Sequence, residues 1–175
     1  MIDKCPKMRY NDNMMNNTKT YDFLDGTGPV PAHQHSNGGG WVADSARVDE
    51  SAFVGLNAQV YGTAEVYGNA RVWENAKVYD TAWVFGNAVV SYNAAVFDNA
   101  RVCDNAEVYG NAKVYGNAKV YGAALVYGNA KVYGTAEVYD TAEVFGNAVV
   151  VAGTIAEMLR ARPSNIIAYS ISTKQ

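Results

Sequence analysis

A valine recurs at every sixth residue from Val42 to Val150, nineteen times without a slip. Two positions before each one from Val48 onward stands an alanine, from Ala46 to Ala148, eighteen in all. The clean unit reads Val-Tyr-Gly-Asn-Ala-Lys, as at Val114–Lys119. A period of six excludes a helix: at about 100° per residue, successive valines would sit about 240° apart and leave no apolar stripe. Gly and β-branched Val at fixed repeat positions disfavour it further. In a strand, residues two apart share a face, so Ala-x-Val points both apolar side chains inward and x outward. The three residues left over must turn the chain. Three strand-plus-turn units close a triangle of about eighteen residues, which is an all-β fold, a single-stranded parallel β-helix. Nineteen hexads make a little over six coils, and at about 4.8 Å per coil the prism is roughly 30 Å long.

The turn residues agree. Asn precedes the alanine in eleven units, among them Asn69, Asn93 and Asn117, and is itself usually preceded by Gly or Asp. All three residue types tolerate tight turns, and Asn is expected to take the left-handed conformation there.

Outside the array the composition changes. Residues 1–40 read as an N-terminal arm and cap, 41–152 as the β-helix, and 153–175 as a C-terminal cap and tail. Met1–Tyr21, rich in Met, Asn and Lys, has no apolar periodicity and reads as an irregular arm. A turn-rich stretch follows, then His33 to Trp41, which ends in Asn37-Gly-Gly-Gly-Trp41 and is placed to cover the open first coil. Past Val150, Thr154-Ile-Ala-Glu157 fits a capping box and predicts a short helix closed by Pro163, with an extended tail over Asn165–Ser172.

The formal charge of −3 and a pI of about 5.3 point neither to a nucleic-acid binder nor to a strongly acidic mimic of DNA. No apolar run is long enough to span a membrane. Cys5 and Cys103 are far apart and of different context, which suits a reduced, cytoplasmic setting. The two histidines, His33 and His35, share a strand face and are the candidate metal ligands, but no third ligand stands near them. The reading is therefore polar residues in a cap loop, with no metal and no cofactor.

Sorting the outward residues by eighteen gives three faces. The first carries Lys77, Lys113 and Lys131 and is lined by Tyr79, Tyr115 and Tyr133; interleaved bases and rings suit an acidic or phosphate-bearing partner. The third carries Phe53, Val89 and Leu125, the candidates for self-association into a dimer or trimer. After each valine the next residue is aromatic in thirteen of nineteen units, and such rings should stack from coil to coil. The run Val78–Val90 returns almost intact at Val138–Val150. That offset of sixty is not a multiple of eighteen, so one sequence serves different faces.

The Val-Tyr-Gly-Asn-Ala-Lys array behind its Asn-Gly-Gly-Gly-Trp lead-in resembles the YdcK-like hexapeptide-repeat proteins over about residues 28–152. The resemblance implies a left-handed coil. Relatives of that type are frequent in enterobacterial, phage and prophage genomes, and many are labelled as transferases. Enzymes of the wider superfamily are trimeric acyltransferases, with a histidine base beside a neighbouring subunit, and carbonic anhydrases that hold zinc through three histidines. From Val42 onward this chain has no histidine and no loop inserted among its hexads. A general base must reach its proton, so the expected function is non-catalytic: a rigid scaffold presenting ladders to a protein partner. The alternative is an atypical acyltransferase-like enzyme whose site lies between subunits or at the His33–His35 cap.

Overall fold

The computed structural model describes residues 19–155 and the backbone of residues 167–168. Every regular element among the described residues is a strand. Three open the chain: β1 (Thr20–Tyr21), β2 (Val30–Gln34) and β3 (Trp41–Ala43). Two-residue strands then follow one per hexad, from β4 (Arg47–Val48) and β5 (Phe53–Val54) to β20 (Glu143–Val144) and β21 (Val149–Val150). From β4 to β18 each pairs in parallel with the strand eighteen residues on, as Lys113 with Lys131 and Val114 with Val132. The outcome is a parallel β-solenoid of about six turns with three sheets, of ten, seven and six strands. The faces assigned by counting in eighteens are these sheets.

The core is a column of two residue types. Each hexad valine from Val54 to Val138, and each alanine from Ala52 to Ala142, is wholly buried. Burying one valine contributes about 1.5–3 kcal/mol. Alternating Val and Ala fills a narrow triangular interior that has no room for a larger side chain in every coil.

The corners correct one expectation. The left-handed residue is not Asn but the one before it. All fifteen residues at that position from Gly62 to Gly146 have positive φ, nine of them Gly and six not. At Gly62 (φ 69°) an added Cβ would lie 2.8 Å from the Asp80 amide nitrogen of the next coil. Where Asp stands instead, its carboxylate does a second job: the amide N–H of Gly116 donates to Asp98 at 3.0 Å, and that of Gly122 to Asp104 at 3.1 Å. Asn is used for stacking between coils. Its amide N–H bonds the next coil, as Asn69 to the Gly86 carbonyl at 2.8 Å. Its carboxamide donates to the carboxamide eighteen residues on, in an unbroken line Asn75–Asn93–Asn111–Asn129–Asn147 at 3.1–3.2 Å.

Both ends differ from expectation. Thr20 and Tyr21, placed in an irregular arm by sequence, are paired: β1 and β2 add antiparallel strands to the first sheet above β3. Residues 1–18 lie outside the described residues. Asn37–Gly40 covers the third sheet, because the Val54 amide donates to the Asn37 carbonyl at 3.0 Å and the Gly40 amide to the Val54 carbonyl at 2.9 Å. A Cβ on Gly38 or Gly40 would collide with the Val54 or Gly55 carbonyl, so this backbone lies on the coil as only glycine allows. At the other end, Thr154 and Ile155 do not begin a helix. They form β22, parallel to Glu137–Val138, with a register one residue short of eighteen. Gly153 (φ 91°) takes the alanine slot, and Ile155 enters the core. The rest of the expected helix, up to Pro163, lies outside the described residues. From the expected extended tail, Ile167–Ala168 forms β23 beside β21.

Candidate functional site

Thirteen of the nineteen hexads put an aromatic residue directly after the valine, at the entry to a corner. At the corner between the first and second faces the rings stack without a gap: Tyr61–Tyr79 at 4.9 Å, Tyr79–Phe97 and Phe97–Tyr115 at 4.8 Å, Tyr115–Tyr133 at 4.7 Å. Neighbouring planes lie within 8° of parallel. The cap extends this ladder. Phe23, 1 % exposed, stacks on Tyr61 at 4.8 Å in the space that Ala43 leaves empty. Tyr21 lies on Trp41 at 4.4 Å and accepts a hydrogen bond from Gln59 at 3.1 Å. Sequence reasoning missed Phe23, which stands in a non-repeating segment; its one signal was the small residue at 43, where the array later has a ring. Burial pushes the Tyr79 and Tyr115 phenols above their ordinary range, so both stay neutral hydroxyls.

The stacking bears on what the stripe can hold. Interleaved lysines and tyrosines suggested an acidic or phosphate-bearing partner. The faces of Tyr79 and Tyr115, however, are covered by neighbouring rings, and only their edges and hydroxyls face outward. Aromatic edges carry the positive part of the ring quadrupole.

On the first face Lys77, Lys113 and Lys131 share one row, with Ala95 between the first two. Lys113 and Lys131 are exposed and stand directly opposite one another. The other faces treat their cations differently. On the second, Lys119 Nζ meets Glu137 Oε1 at 2.8 Å, and the Arg101 guanidinium lies 4.6 Å from the Trp83 ring centre. On the third, Arg71 sits 5.8 Å from both Phe53 and Trp73. Lys77 has the cap carboxylate Asp25 in range of its field; that carboxyl lies below its usual range mainly through hydrogen bonds from Thr27, with Lys77 a smaller cause.

The remaining candidates are dispersed. Phe53, Val89 and Leu125 are half-buried and share the third face, but Arg71 and Glu107 separate them, so they do not form a continuous apolar stripe. His33 and His35 diverge. The exposed His33 pairs through Nδ1 with Asp44 at 2.8 Å. His35, 6 % exposed, sits under the Asn37–Gly40 turn with Nδ1 3.3 Å from the Asn37 amide nitrogen. Among the described residues no three His, Cys, Asp or Glu side chains gather as a metal site, and no helix is long and apolar enough to cross a membrane. Cys103 is unpaired, and burial pushes its thiol up to about 11.

Compared with known proteins, the chain matches no family model, no curated protein and no solved structure.

Proposed function

We propose that this chain is a non-catalytic scaffold, a rigid β-helix that presents charged and aromatic ladders in fixed register to a macromolecular partner. One observation carries the reading: the row of Lys77, Lys113 and Lys131 beside an unbroken ring ladder, locked by parallel pairing so that neither row can shift against the other. A preordered surface of this kind loses little conformational freedom on binding. The array's likeness to YdcK-like hexapeptide-repeat proteins supports a left-handed coil and phage or prophage carriage, and the two dissimilar cysteines suit the cytoplasm. The test is capture from extracts of cells that carry the protein, comparing the native chain with a Lys77→Glu/Lys113→Glu/Lys131→Glu variant. A captured protein lost with the variant, at unchanged melting temperature, supports the reading. Equal capture by both rejects the stripe.

A second reading, an atypical acyltransferase-like enzyme, is favoured by the His33–Asp44 pair, which holds one imidazole nitrogen and leaves the other outward. Release of free coenzyme A from acetyl-coenzyme A with a panel of acceptors, abolished by His33→Ala, would establish it. No release by the native protein would remove it.

A further inference from the structure

We infer that the occupant of the first face is an acidic polypeptide segment, one of whose carboxylates sits between Lys113 and Lys131. The inference rests on the proposed function and names its partner. Parallel pairing sets these two lysines side by side, about 4.8 Å apart at the backbone. Like charges directly opposite one another are unfavourable, and this array elsewhere relieves them. Arg101 and Lys119 are opposed in the same way on the second face, but the first lies over Trp83 and the second holds Glu137. Among the described residues neither Lys113 nor Lys131 has an ion-pair partner. A carboxylate offers two oxygens, one for each ammonium.

What flanks the pair also favours an anion. Two residues before each lysine runs the asparagine line, in which Asn111 and Asn129 each spend one N–H on the next carboxamide and keep the other. Two residues after each lysine stand Tyr115 and Tyr133, which present hydroxyls and ring edges. Donors therefore line both sides. A single-stranded nucleic acid is disfavoured by the same geometry: its recognition draws on bases stacking against aromatic faces, and along this ladder those faces are covered.

The experiment is fluorescence anisotropy of a labelled oligoglutamate peptide with the full chain at low and moderate salt. Binding should weaken about tenfold in Lys113→Gln/Lys131→Gln, the loss expected for two exposed ion pairs. Lys119→Gln, on the neighbouring face, should change it less than about twofold. Melting curves of all three proteins confirm that the fold is kept. Equal losses in both variants, or no loss in the double variant, would overturn the inference. So would tighter binding of an oligothymidylate or of phosphatidylserine vesicles than of the peptide. If oligoglutamate fails while a captured partner still depends on the lysines, the acidic-segment inference falls and the scaffold reading stands. If capture is also independent of the lysines, both fall.

Discussion

The corner between the first and second faces and the corner between the second and third are built from the same hexad, yet they differ. The first stacks six rings from Phe23 to Tyr133 without a gap. The second has two separate pairs, Tyr67–Phe85 and Tyr121–Tyr139, with Cys103 between them. Both corners nonetheless hold the same left-handed turn, and the valines beneath them are equally buried. The coil therefore does not need its rings in order to close. Core and turn residues set the fold, and the ladder adds stability and a surface on top of it.

Four tests, the second a pair of substitutions, probe that division from the largest effect down. Phe23→Ala removes the buried top ring of the continuous ladder and should destabilise the cap by about 3–5 kcal/mol, read as early loss of hydrogen-exchange protection at Ala32 and Trp41 while the distal coils stay protected. Simultaneous loss throughout would mean that the ladder holds the whole solenoid. Next, Gly62→Ala forces a Cβ against the next coil at positive φ and should cost about 2 kcal/mol in chemical denaturation. Asp104→Gly, at the equivalent turn of the broken corner, should be near neutral, since easier φ offsets the lost bond to the Gly122 amide. If Gly62→Ala proves harmless, the turn is not what closes the coil.

Joining the broken ladder is the third change. Cys103→Tyr should stabilise by about 1 kcal/mol, the scale of an added aromatic pair, and a destabilised variant would show that the gap is too tight for a ring. In the native chain the Cys103 thiol is raised from 9.0 to about 11 by burial. Thiolate is the reactive form, so alkylation should be slow near pH 8 and climb toward pH 11, whereas in denaturant it should climb near pH 9. The raised value means that the folded state holds its proton longer, so this group's contribution to stability is full below pH 9 and lost as pH rises toward 11. Smallest is Lys131→Gln, which relieves the opposed pair and should stabilise by a few tenths of a kcal/mol, more at low salt than at high.

Much of this was legible in the chain. Val and Ala two apart gave the sheet faces, and counting in eighteens placed Lys113 beside Lys131, because a solenoid converts sequence spacing directly into height. Three features were not legible, each for a physical reason. The asparagine line depends on carboxamides meeting eighteen residues apart, whereas turn propensities describe only a residue and its neighbours. The closing of Val150 to Ile155 in five residues is masked by Gly153, whose φ of 91° lets a shortened corner reach the core. Ring stacking from coil to coil was legible from the period of eighteen, but its extension into the cap was not. Phe23 lacked even that signal, since a single ring outside the repeat has no period to reveal it.

Consider last the consequence of pairing each coil only with those directly above and below. A load applied between the two ends would pull along the hydrogen bonds between coils, not across them as in a sheared sheet. Those bonds would then fail in small groups, one turn after another, and the chain would pay out about eighteen residues at a time at a nearly even force. Mechanically such a molecule is a spool. It is stiff against sideways bending, yet it yields gradually from whichever end is pulled free first.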